Sequence, residues 1–170
     1  MLKKNTTLLL LTFIILSLGS CGIYSFSGAS IPAEAKTINI AYFENKAALV
    51  EPSLGQILTD KLKNRFSSQT QLNITETGGD LQIVGIITEY KTDPLAIQPD
   101  QTAALNRLTI TVEVNFVNVY DPSKDFKSSK ITRYEDYPSS ENFVDVQDAL
   151  ISVIAEALVD DIFNATVVNW

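Results

Sequence analysis

The stretch Leu105-Asn106-Arg107-Leu108-Thr109-Ile110-Thr111-Val112-Glu113-Val114-Asn115-Phe116 decides the fold. Leu108, Ile110, Val112, Val114 and Phe116 fall on one side of an extended chain, and Thr109, Thr111, Glu113 and Asn115 on the other. Strict period-two alternation predicts a strand, here Leu105 to Tyr120, with one face in a core and the other wet or covered by a polar partner. Toward the C-terminus, Asp121-Pro122-Ser123-Lys124-Asp125 reads as a turn. Phe126 to Tyr137 is then a weaker strand, charged in the manner of an edge, and Pro138 ends it. A final helix, roughly Phe143 to Val168, can be capped by Asn142 or Asp145. Asp148, Ser152, Glu156, Asp160 and Asn164 form its polar stripe, while Val146, Leu150, Val153, Ile154, Ala157 and Phe163 are apolar.

Toward the N-terminus, Asp93-Pro94 and Gln98-Pro99-Asp100 punctuate a loop that runs to about Ala103. Leu81 to Tyr90 is a strand partly covered on both faces, preceded by a Thr77-Gly78-Gly79-Asp80 turn and a short strand over Gln71 to Thr75. Leu54, Ile57, Leu58, Leu62 and Phe66 recur at helical spacing and predict an amphipathic helix from Pro52 to Ser67, with Gly55 packed closely on a sheet. Glu44 to Glu51 reads as a loop. Thr37 to Phe43 is a first strand with Ile38, Ile40 and Tyr42 on one side. Strand, helix, strands, helix predicts an α+β two-layer sandwich, with two helices packed on one face of a mostly antiparallel four-stranded sheet.

The N-terminus carries a separate message. Lys3 and Lys4 precede an apolar run from Leu8 to Leu18, too short to span a bilayer but of the length of a signal core. Leu18-Gly19-Ser20-Cys21 follows and resembles the lipobox of bacterial lipoproteins. That resemblance implies cleavage between Ser20 and Cys21 and acylation of Cys21; the alternative is a free thiol beside an ordinary signal peptidase site. The expected division is 1–20 signal peptide, 21–35 lipidated tether and 36–170 folded domain. Position 22 is Gly, not Asp, and no acidic run follows Cys21. Both features favour a periplasm-facing protein anchored in the outer membrane.

Composition narrows the function. The 170 residues carry 13 basic and 20 acidic side chains, and loss of Lys3 and Lys4 with the signal leaves a net charge of −9. This argues against nucleic acid as a partner and against a broad electrostatic grip on anionic lipid. Histidine is absent and Cys21 is the sole cysteine, which removes Ser-His-Asp and Cys-His catalysis and the usual zinc ligands. Glu135-Asp136 on a strand point to opposite faces, and Asp160-Asp161 diverge on a helix, so neither pair makes an acid-base dyad. Gly78-Gly79 lacks the rest of a phosphate loop. No catalytic residue, metal site or cofactor is expected.

The candidate site residues concern binding. Lys124, Lys127, Lys130 and Arg133, with Arg107 on the neighbouring strand, are the one basic concentration. Protective charge on an edge strand accounts for them more readily than contact with lipid phosphates. Alternation sets Lys127, Ser129 and Arg133 on one face and Lys124 and Lys130 on the other. Thr109, Thr111 and Glu113 are either solvent surface or contacts for the wall of another protein. Trp170 is equally a plug for the last helix or an interface anchor.

Cys21-Gly22-Ile23-Tyr24-Ser25-Phe26, Ile40-Ala41-Tyr42-Phe43-Glu44-Asn45, Thr102-Ala103-Ala104-Leu105-Asn106-Arg107-Leu108-Thr109-Ile110-Thr111-Val112 and the Trp-ended helix together resemble the Bacteroidota branch of the LptE-type lipoproteins. The resemblance implies a non-catalytic outer-membrane lipoprotein that plugs and stabilises the LptD β-barrel and helps place lipopolysaccharide in the outer leaflet. A lipid carrier or binding module of another envelope machine, and a lipid-anchored hydrolase using Ser and Lys, are the alternatives. A carrier would show a deep apolar cavity, and a hydrolase a buried lysine beside a serine.

Overall fold

The computed structural model describes residues 31–95 and 104–168. Cys21, Ser20, Trp170, the signal peptide and most of the loop around Gln98-Pro99-Asp100 lie outside them. Among the described residues six strands and two helices follow in the order β1 (Thr37–Ile40), β2 (Glu44–Asn45), α1 (Leu54–Gln69), β3 (Asn73–Thr75), β4 (Leu81–Pro94), β5 (Leu105–Asn118), β6 (Phe126–Pro138) and α2 (Phe143–Val167). A 3-10 turn, Pro122–Lys124, joins β5 to β6.

The two-layer α+β architecture matches expectation, but the sheet is mixed and six-stranded. Its order is β3-β1-β4-β5-β6, with β2 also on β4. The long strands β4, β5 and β6 are antiparallel, whereas β1 runs parallel to both β3 and β4. Parallel neighbours need a crossover, and α1 between β1 and β3 supplies it. The expected 44–51 loop begins with β2, and β4 continues through Asp93-Pro94 as a strand.

β1 and β2 pair along the same edge of β4, Ile38–Ile40 with Leu81–Ile83 and Glu44–Asn45 with Ile86–Ile87. The chain leaves the ladder between them, and there the expected alternation fails. Tyr42 is exposed and Phe43 is fully buried. The Phe43 N–H donates to Thr59 Oγ1 of α1 at 3.1 Å, which fixes the inward turn.

Both helices cover one face. Leu54, Leu58, Leu62 and Phe66 of α1 and Leu150, Ile151, Ile154, Leu158, Val159, Ile162 and Phe163 of α2 join one core with Ile83, Ile87, Leu108, Ile110, Val112, Val114 and Phe116. Phe66 and Phe163 meet edge to face at 5.0 Å between ring centres, a geometry that adds about 0.5–1.5 kcal/mol beyond area burial. At their outer edge Glu156 accepts from Lys61 at 3.0 Å and Arg65 at 2.5 Å, and Arg65 also pairs with Asp160. Asn142 caps α2 by accepting from Val144 N. Val153 points out of this helix rather than into the core. Among the described residues no helix is long and apolar enough to cross a membrane.

Candidate functional site

With both helices on one side, no layer among the described residues covers the other side of β4-β5-β6. Residues directly opposite in an antiparallel ladder point to the same side. The registers Glu89↔Thr111, Lys91↔Thr109 and Asp93↔Arg107 and Arg107↔Asp136, Thr109↔Tyr134, Thr111↔Thr132 and Glu113↔Lys130 therefore build a polar open face. Thr109, Thr111 and Glu113 share it, as the alternation of β5 requires.

Its side chains bond to one another across strands. Thr111 Oγ1 donates to Glu89 Oε2 at 2.9 Å and lies 2.9 Å from Thr132 Oγ1. Lys91 Nζ reaches Glu89 at 3.0 Å and Asp93 at 3.4 Å. The hydrogen bond from Lys91, then that from Thr111, hold the Glu89 carboxyl below its ordinary range. Arg107 donates from Nε and an Nη to the two oxygens of Asp136 at 2.6 and 2.9 Å, which lowers the Asp136 pKa. The guanidinium also sits 3.5 Å from the ring centre of Tyr134.

The basic set is thus dispersed. Arg107 and Lys130 share the open face, six register positions apart, or about 20 Å along the strand. Arg133 lies opposite buried Ile110 on the helix side and donates to Asp161 of α2 at 2.7 Å. Lys127 does not stay with Ser129 and Arg133 as simple alternation predicts. Three steps of β6, Phe126 to Ser129, span the two steps from Phe116 to Val114. Ser128 takes a φ of 53° and donates its N–H to Asn115 Oδ1 at 2.9 Å, a β-bulge that shifts the phase of the strand. Lys124 stands in the turn at the opposite end from Arg107. The Lys127 and Lys130 side chains have no hydrogen-bond or ion-pair partner among the described residues. Lys130 borders a recess of about 580 Å³ with Glu89, Lys91, Thr111 and Thr132.

Sequence reasoning missed the Asp80 junction. Asp80 Oδ2 accepts from Lys36 N at 2.8 Å, Thr37 N at 3.0 Å and Thr37 Oγ1 at 2.8 Å, and Asp80 N donates back to Thr37 Oγ1. These bonds, the Lys36 N–H first, keep its carboxyl below the ordinary range. The signal available was an acid closing the Gly78-Gly79 turn, whose glycines take φ of 65° and 129°, but its partners lie more than forty residues away.

Chemically the face offers paired charges and hydroxyls. Among the described residues no group of three or more potential metal ligands is present, and no lysine there is buried beside a serine.

A family model described as "LptE: Lipopolysaccharide-assembly" matches residues 35–166. No curated protein matches significantly. Solved structures with a similar fold include an uncharacterized lipoprotein B from Nitrosomonas europaea, at 13% identity and a TM-score of 0.50, covering 78% of this chain and 81% of that one. A hypothetical protein from Chlamydia trachomatis aligns at 8% identity and TM-score 0.51, covering 78% and 98%. A protein from Xanthomonas campestris aligns at 10% identity and TM-score 0.51, covering 79% and 87%. These likenesses speak to the fold alone.

Proposed function

The chain belongs to the LptE family of lipopolysaccharide-assembly proteins, and on that premise we propose that it is a non-catalytic, Cys21-anchored lipoprotein of the outer membrane, facing the periplasm, that plugs and stabilises an LptD-type β-barrel. The observation that carries the reading is the uncovered polar face of β4-β5-β6. A wide barrel has a polar interior, and a plug for it needs a compact body with a hydrogen-bonding wall and no reactive group. Thr109, Thr111 and Glu113 belong to that wall, and Trp170 is a further contact. Arg107 and Lys130, about 20 Å apart, are placed to meet separate phosphates of an elongated lipopolysaccharide head; Lys127, next to core-facing Phe126, lies on their side of the sheet, whereas Arg133 faces the helices. The core supports a plug over a carrier, because Phe43, Phe66, Phe116 and the aliphatic residues around them fill the space between helices and sheet.

Photo-crosslinking tests this. A crosslinking residue at Thr109 or Lys130 in the native membrane gives an adduct with one large barrel protein, and the same residue at exposed Gln56 on α1 gives much less. Loss of adducts at every open-face position, in membranes where other barrel complexes remain intact, would overturn the plug reading.

A further inference from the structure

The open face changes character from end to end. Its far end holds Glu89, Lys91, Arg107 and Asp136. Its near end carries Val84, Val117 and Val119, exposed at 47%, 37% and 56%, beside Tyr120 at 49%. The registers Val84↔Asn115 and Gln82↔Val117 set these side chains on one side, and Val119 N donates to Asp80 O at 3.0 Å. Contiguous exposed apolar side chains on an otherwise polar face mark a contact surface.

The chain itself says what lies nearby. Ile31, Pro32 and Glu34 share a recess of about 510 Å³ with Tyr120, Asp121 and Lys124. Asp80 fastens Lys36 and Thr37 at the same end. The link from Cys21 to Ile31 is ten residues, a reach of at most about 35 Å. Ile23, Tyr24 and Phe26 lie within it, side chains of a kind that prefers the headgroup boundary to water.

We propose that the near end of the open face, Val84, Val117, Val119 and Tyr120, seats on the phospholipid surface that holds the acyl chains of Cys21. The proposal rests on the lipid-anchor reading above. The contact is apolar: Glu34 and Asp121 outnumber Lys124 at its border and the mature chain is acidic, so added salt leaves it unchanged. It sets the domain end-on. Arg107 stands ten residues from Val117 along β5, so the strand carries it about 33 Å from the lipid, the orientation in which the charged end enters a barrel lumen first.

The test uses the full mature protein reconstituted in phosphatidylethanolamine–phosphatidylglycerol vesicles. Acylation consumes the thiol of Cys21, so Val119→Cys or, at the far end, exposed Val144→Cys supplies the sole free thiol for a fluorophore. The Val119 label should be quenched several-fold more by spin-labelled lipid than the Val144 label and be shielded from iodide, at low and high salt alike. Equal iodide access at both positions overturns the seat, and so does shielding of Val119 that appears only after a barrel partner is added. Intact mass separates the two failures. An unacylated Cys21 overturns the anchor reading and the proposal with it, whereas acylated protein with an open Val119 overturns the seat alone.

Discussion

The ring of Phe43 occupies the space that a side chain at Gly85 would need: a Cβ built on Gly85 would stand 2.5 Å from Phe43 Cζ and 2.7 Å from Cδ1. Gly85 lies on β4 between the segments that pair with β1 and β2. The missing side chain and the break in the ladder are two halves of one arrangement, which brings an aromatic ring into the core at the junction of parallel and antiparallel strands. Gly85→Ala should cost about 1–3 kcal/mol through overpacking, and Phe43→Ala about 3–5 kcal/mol. Pairing Gly85→Ala with Phe43→Leu should recover part of the loss. Urea unfolding of the parent, Gly85→Ala, Phe43→Leu and the double variant checks this, and strictly additive losses would contradict it.

Gly55→Ala sets helix propensity against packing. Alanine favours α1 by about 1 kcal/mol, but its Cβ would collide with the backbone oxygen of Phe43 and stand 2.6 Å from Tyr42 Oη. The net effect should be a loss of about 1–3 kcal/mol. Adding Tyr42→Ala should not restore stability, because the backbone contact remains. A thermal melt that rises for Gly55→Ala would show that α1 stands farther from β1 than described.

Thr111 is buried, with its hydroxyl on Glu89 and Thr132. Thr111→Val keeps shape and strand propensity and should cost about 1 kcal/mol, the net worth of such a bond. Thr132→Val, at an exposed position, should cost less. Chemical denaturation of both variants gives the comparison.

Asp80 ties stability to pH. Its carboxyl is lower in the fold than in the unfolded chain, so its contribution is present above the unfolded value, about 3.9, and is lost as pH falls through the native value. Asp80→Asn should be less stable than the parent at neutral pH, and the gap should close in acid. Proteolysis near Lys36 should rise for the variant at neutral pH. A gap that persists unchanged at low pH would assign the effect to something other than the carboxylate.

Arg133→Ala and Lys130→Ala should separate structural from binding cations. Arg133 pairs with Asp161, and its removal should cost about 0.5–1 kcal/mol of stability. Lys130→Ala should stay within about 0.5 kcal/mol of the parent while weakening capture of phosphorylated lipid. If stability moves with Lys130 and not with Arg133, the facing assigned to β6 is wrong.

Most elements were legible because their signals are local. The alternation of β5 and the three- and four-residue steps of α1 are repeats within one segment, and each names its own buried face. Gly78-Gly79 likewise declared a turn. The basic set was legible only as a list. Its division depended on the bulge at Ser128, where one extra residue flips every later side chain relative to a simple count. Tyr42 and Phe43 were misassigned for a related reason: the strand breaks where its partner has no side chain, and nothing in the Thr37–Phe43 pattern reports on Gly85.

The sequence by itself determined the helices, the long strands, most of their buried faces and the absence of histidine chemistry, because each follows from neighbouring residues and side-chain chemistry. Only the tertiary structure decided that β1 lies between β3 and β4, that both bulge and ladder break fall where they do, and that Asp80 holds Thr37. Those outcomes depend on which distant segments meet. Strand pairing is set by filling one shared core and by satisfying backbone groups across the sheet, and neither is written in the period of a single strand.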